Sequence, residues 1–221
     1  MSNFRFTKVD RFPPIVKNLI IINILVWVAQ LIYDKEHGLL TMWLTGKIAL
    51  FPVNDPSFMP YQIATHMFAH SSYSPFGQIV FIHILFNMFG LYMFGRILEN
   101  VWGAKRFLFF YLACGVGSAA AHLTMQYFMG GHAAAVGASG AVMGVFVAFG
   151  YLFPNTELMI IPIPIPIKAK WLVLVYIAID LFGGVANISG DNIAHFAHLG
   201  GAITGFLIVL FWNKTNRRSL Y

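Results

Sequence analysis

Six apolar stretches, at about residues 19–33, 78–94, 107–129, 137–153, 171–186 and 192–212, alternate with segments that hold most of the Lys, Arg and Pro residues. A helix needs about 20 mostly apolar residues to cross a hydrocarbon core of about 30 Å, so the pattern predicts six spanning helices. The first stretch is interrupted only by Asn23 and Gln30. No small-residue cleavage site follows it, so it reads as a retained helix rather than a removed leader. The longest connection, 34–76, carries Trp43, Phe51, Phe58, Tyr61 and Phe68 among prolines and histidines. It is too aromatic for a solvated loop and too broken for a span, which predicts a partly embedded interfacial segment. The fourth stretch, Gly137 to Phe153, spans about 26 Å as a helix, so its start is expected below one membrane surface. Pro162, Pro164 and Pro166 forbid helix and predict an extended connection, and 187–191 reads as a tight turn.

Composition narrows the class. The 221 residues are 58% hydrophobic and 10% charged, with mean hydropathy +0.71, whereas a soluble domain carries about 25% charged residues. The expected class is an all-α polytopic membrane protein. It divides into a basic tail (1–18), a six-helix membrane domain (19–213) and a second basic tail (214–221). The net charge of +6 comes from short clusters between apolar runs, which argues against a nucleic-acid surface. Of the 14 Lys and Arg residues, all but Lys35 and Lys47 fall in the two tails, the second-to-third connection and the fourth-to-fifth connection. The positive-inside rule therefore puts both termini in the cytoplasm and starts the fourth and sixth helices from the outer side. Cys114, the single cysteine, reads as a small core residue.

The chemistry centres on Gly137-Ala138-Ser139-Gly140. A serine hydroxyl is a weak nucleophile until an adjacent base takes its proton, and histidine is the usual base. The sixth stretch offers His195 and His198. His198, Gly201 and Gly205 share one helical face, and Gly137, Gly140 and Gly144 make a matching face on the fourth. Two small-residue faces allow close helix contact, with Ser139 and one histidine at the seam. Spacing alone leaves both histidines open; depth favours His198. Backbone N–H groups in the opening turn around Ser139 have no intrahelical partner and suit an oxyanion. His83 and Asn87, spaced i, i+4 on the second stretch, add two polar side chains on one face.

Gly137-Ala-Ser139-Gly140, the run Ala197-His198-Leu-Gly-Gly201-Ala-Ile-Thr-Gly205, and His83-Ile-Leu-Phe-Asn87 followed by Glu99-Asn-Val-Trp-Gly103 together resemble the rhomboid intramembrane serine proteases. The resemblance runs from about Pro60 to Phe211. It implies a six-helix rhomboid fold, a Ser139–His198 catalytic dyad without an acidic third member, and oxyanion donation by the Ser139 N–H, His83 and Asn87. Single-pass membrane proteins, cut near small residues, are the implied substrates. No cofactor and no metal are expected, and the lipid bilayer is the other partner. The expected location is a bacterial inner membrane. Three positions depart from the family pattern. Tyr61-Gln62 stands where relatives often carry Trp-Arg, the run from His70 to His83 is longer, and Met143 replaces an aromatic one turn after the serine.

Other residues compete for roles. Asp180, the only acid inside an expected helix core, reads as a packing hydrogen-bond residue rather than a third triad member, and Asp191 as a helix cap. His66 and His70 could join His83 on a metal, but no His-Glu-x-x-His sequence or thiolate accompanies them. The Gly130 to Val136 loop and the fifth helix, with Gly183-Gly184, are the expected gates for water and substrate. A non-catalytic module that binds membrane helices is the other class such a chain fits.

Overall fold

A computed structural model describes residues 10–36, 42–74, 76–131, 133–160, 163–186 and 192–215. Helices stand at all six apolar stretches: α1 (Pro14–Glu36), the second column, α6 (Ala104–Met129), α7 (Ser139–Leu152), α8 (Ala169–Ala186) and α9 (Asn192–Thr215). The first loop adds α2 (Trp43–Ile48), α3 (Gln62–Thr65) and a 3₁₀ turn, His66–Phe68. The second column runs through α4 (Ile82–Gly90), one π turn (Leu91–Gly95) and α5 (Arg96–Trp102). Among the described residues, three helical segments are long and apolar enough to cross a membrane: Pro14–Glu36, Ala104–Met129 and His195–Lys214. Large apolar side chains stay exposed on the outer faces of α1 and α8, including Leu25, Ile32, Val175 and Phe182. Such faces suit hydrocarbon, where burial against protein is not required.

Several ends differ from the sequence expectation. The first helix starts at Pro14, inside the segment read as tail, because a proline at the first helical position loses no hydrogen bond there. The carboxylate of Glu99 on α5 accepts from Ile15 N (2.9 Å) and Val16 N (2.8 Å), filling the role of an N-cap from a distant helix. The expected second stretch ends at 94, whereas the helix continues to Trp102 and buries Glu99 for this purpose. The proline-rich connection is extended, as its residues require. It also pairs: β1 (Glu157–Ile160) and β2 (Ile163–Lys168) form an antiparallel hairpin with Leu158 opposite Ile167. The expected turn at 187–191 and the Asp191 cap lie outside the described residues.

The first loop is tied down rather than merely resting on the helices. Gln30 on α1 bonds the backbone of His70 twice, donating to its carbonyl and accepting from its N–H, each at 2.9 Å. His70 Nε2 donates to Asn23 Oδ1 at 2.9 Å. The two polar residues that interrupt the first apolar stretch thus hold the loop. Asp34 caps α2 by accepting from Leu44 N (2.7 Å) and Thr45 N (3.1 Å). Gln62, at one of the departures from the family pattern, is buried and takes over an anchoring job. Its Nε2 donates to Ser57 O (3.0 Å) and Lys47 O (3.3 Å), and its Oε1 accepts from Met59 N (3.2 Å). Burial pushes the His66 imidazole below its ordinary pKa and takes His70 down to about 3, with neighbouring His83 adding to the latter shift.

Helix α7 is the axis of the packing. It lies against α6, α8, α9 and the second column, and Val145, Ala148 and Phe149 are buried. At 14 residues it is about 21 Å long, too short to reach from one edge of a hydrocarbon core to the other.

Candidate active site

The backbone that delivers Ser139 is fixed before the helix begins. Leu50 and Ala135 exchange both backbone hydrogen bonds at 2.9 Å, and Gly137 N donates to His66 O at 2.9 Å. Gly137 has φ 124°, a conformation open to glycine and strained for any side chain. A Cβ there would also stand 2.9 Å from the His83 ring. Conformation and space both select glycine at this turn. Ser139 is then the first residue of α7, and Ala138 before it offers no side-chain cap. The opening N–H groups of α7 have no intrahelical partner and receive no bond from the N-cap side chain, at the positive end of a helix dipole.

His198 reaches the serine from α9, with Nε2 2.8 Å from Ser139 Oγ. The approach depends on glycine. A Cβ on Gly201 would overlap the Gly140 carbonyl, and one on Gly205 would stand 2.8 Å from the Gly144 backbone. The two matching faces expected from spacing are in backbone contact. A third helix joins them, since a Cβ on Gly140 would overlap Ser118 of α6. Ser118 carried no signal in the sequence, where it is one small residue among many.

On the other side of the imidazole the structure adds a carboxylate. Asp180 Oδ1 accepts from His198 Nδ1 at 3.3 Å and from His195 Nδ1 at 2.8 Å. Asp180 is 3% exposed. The sequence reading kept Asp180 to helix packing and the family resemblance implied no acidic partner; here the acid contacts the imidazole. The available signal was the cost of burying a carboxylate within an apolar helix, which calls for partners. With Nδ1–H held by Asp180, the neutral His198 ring presents the Nε2 lone pair to Ser139. His195 shares the carboxylate and lies one turn from His198 toward the start of α9.

His83 stands in the first turn of α4, its ring beside Gly137. Ser71 N donates to Nδ1 at 3.3 Å, so the ring proton of neutral His83 resides on Nε2, an atom that lies next to Gly137 and within reach of the serine turn. Asn87, one turn further and buried, spends an amide hydrogen on its own helix, Nδ2 to His83 O at 2.9 Å. Met143 is buried with Phe146, Val147, Val173 and Ala202, so its thioether fills the wedge between α7, α8 and α9. The expected gate residues are packed: a Cβ on Gly183 would stand 2.6 Å from the His195 ring, and one on Gly184 3.1 Å from Phe196. The water-gate loop is tied at its middle, since Gln126 Nε2 donates to Ala133 O.

In a comparison with known families, the model described as Rhomboid domain matches residues 57–214, more than half of the chain, a range that includes Ser139, His198, Asp180, His83 and Asn87. A comparison with curated proteins gave no match.

Proposed function

Because the chain belongs to the rhomboid family, which includes serine proteases as well as inactive members, we propose that it is an intramembrane serine endopeptidase. The observation that carries this reading is the 2.8 Å contact between Ser139 Oγ and His198 Nε2 at the uncapped start of α7. His198 takes the hydroxyl proton as Oγ attacks a substrate carbonyl, then gives it to the leaving amine. The acyl-enzyme is released by a water that His198 deprotonates in the same way. The tetrahedral oxyanion is received by the Ser139 N–H, by His83 Nε2–H and by Asn87 after a side-chain rotation away from His83 O. Asp180 holds His198 in the tautomer that leaves Nε2 free to accept.

In this reading six helices span the bilayer, with both termini, the β1–β2 hairpin and its Lys168 on the cytoplasmic side. The first loop and the Gly130 to Val136 segment face outward, and the short α7 places Ser139 beneath that surface. Water enters from the outer side, and the bond cut lies near small residues in a single-pass substrate. A bacterial inner membrane suits this orientation.

The test uses purified full-length protein and a reporter transmembrane segment. Cleavage is expected, with a fluorophosphonate adduct on Ser139, and both are expected to vanish in Ser139→Ala and His198→Ala while the proteins stay monodisperse. Retained cleavage in either variant would overturn the Ser139–His198 assignment, and a folded wild type that neither cleaves nor takes the label would leave a non-catalytic helix-binding member as the better description.

A further inference from the structure

The proposed mechanism uses one contact of the Asp180 carboxylate, yet that group gathers two imidazoles. His195 Nδ1, His198 Nδ1 and a carboxylate oxygen of Asp180 all lie within 4.8 Å of one another. Both nitrogens address the same oxygen, Oδ1, at 2.8 and 3.3 Å. Oδ2 is buried with no hydrogen-bond partner among the described residues. The two imidazoles are also the only ion-pair partners that Asp180 has among those residues. A nearly inaccessible acid with one oxygen unspent, facing two nitrogen donors from the adjacent helix, has the composition of a cation site rather than of a packing contact.

The geometry fits a particular class of ion. Zn²⁺ bound at about 2.0–2.1 Å in a tetrahedron sets neighbouring donors roughly 3.4 Å apart. Two of the three donor pairs already stand near that spacing, and the third needs a modest closure of two rings now 6.5 Å apart between centroids. Imidazole with carboxylate favours Zn²⁺ and Co²⁺ over Mg²⁺ and Ca²⁺, which prefer all-oxygen ligands. Both histidine side chains keep 23% of their surface exposed, which leaves a path for the ion and room for water in a fourth position.

We infer that Asp180, His195 and His198 form a binding site for a Zn²⁺-class cation, and that its occupancy switches the serine off. Binding at Nδ1 of His198 moves the ring proton from Nδ1 to Nε2, with no net change in protons on that neutral ring. Nε2–H then donates to Ser139 Oγ, and no lone pair remains there to accept the hydroxyl proton. Metal binding and catalysis require opposite tautomers of the same ring. The inhibitory half of the inference rests on the protease reading, whereas the binding half does not.

Co²⁺ titration of the full-length Ser139→Ala protein, which keeps all three ligands, tests binding without activity. One equivalent is expected to give the visible absorption of a tetrahedral nitrogen and oxygen site, displaced by Zn²⁺ and unaffected by Mg²⁺. Adding His195→Ala or Asp180→Asn is expected to abolish it. In the Ser139-intact protein, Zn²⁺ is expected to stop reporter cleavage, and chelator to restore it. His195→Ala should raise the half-inhibiting Zn²⁺ concentration about tenfold or more, each protein read against its own rate in chelator. No cobalt band, or a band indifferent to both ligand substitutions, overturns the site. A normal band with undiminished cleavage overturns the switch. A normal band in a protein that never cleaves keeps the site and removes the protease reading instead.

Discussion

Asp180 Oδ1 and His198 Nδ1 are 3.3 Å apart, on the opposite edge of the imidazole from Ser139. The contact is longer than the 2.8 Å bond by which the same oxygen holds His195, so in the protease reading Asp180 orients the base while dividing its charge between two rings. Asp180→Asn is therefore expected to lower kcat by about 10- to 100-fold, less than the roughly 10⁴-fold loss when an acid serves a single catalytic histidine. KM should stay within twofold, because the carboxylate does not touch substrate. Steady-state cleavage of a reporter helix gives both values; an unchanged kcat would return Asp180 to a packing role.

Neutral His83 carries its proton on Nε2 because Ser71 N occupies Nδ1, and in the protease reading this makes it the better placed of the two proposed side-chain oxyanion donors. His83→Ala should reduce kcat by about 10²- to 10³-fold, the usual cost of one oxyanion donor. Asn87→Ala should cost less, since its amide must first leave His83 O. The two rates measured side by side rank the donors, and a larger loss at Asn87 would reverse the assignment.

Gly201 meets Gly140 backbone to backbone, one residue from the serine. Any side chain at 201 forces α7 and α9 apart, a type of overpacking that costs about 1–3 kcal/mol. Gly201→Val should lower the thermal midpoint in detergent and remove cleavage even at temperatures where the protein remains folded, since the same separation lengthens the Ser139–His198 contact. Wild-type activity in this variant would mean that the helices do not touch here.

The pH response of the first loop follows from His70. Burial takes its folded pKa down to about 3, with neighbouring His83 adding to the shift, while its Nε2–H is spent on Asn23 and its buried Nδ1 has no hydrogen-bond partner among the described residues. The unfolded chain has the ordinary value of about 6.5 and takes up the proton first. The stability due to neutral His70 is thus complete above about pH 6.5 and is lost as pH falls from there toward 3, at up to about 1.4 kcal/mol per pH unit. Buried His66 shifts in the same direction and adds to the slope. Thermal midpoints between pH 7.5 and 4.5 should fall with pH, and His70→Asn should flatten the curve while starting from a lower midpoint. A flat wild-type curve would rule out a neutral, buried His70.

The amino-acid sequence by itself determined the helices, because apolar length is a local property that a membrane-sized pattern declares. It also pointed to the seam, since glycines repeated at helical spacing suit close approach; spacing left His195 and His198 both open there, depth favoured His198, and the structure puts His198 Nε2 at Ser139 Oγ. Tertiary structure decided what depends on the rotation of one helix against another or on distant backbone. The turn of α8 about its own axis brought Asp180 to two imidazoles, where spacing within α8 says nothing of its neighbours. Packing likewise sent Glu99 to the start of α1 and Gln62 to the backbone of its own loop. A buried polar group must find a partner, and the sequence states that need without naming who meets it. The Asn87 amide, the Gly137 turn against His83 and the hairpin after α7 belong to the same class, fixed by contacts between segments far apart in the chain.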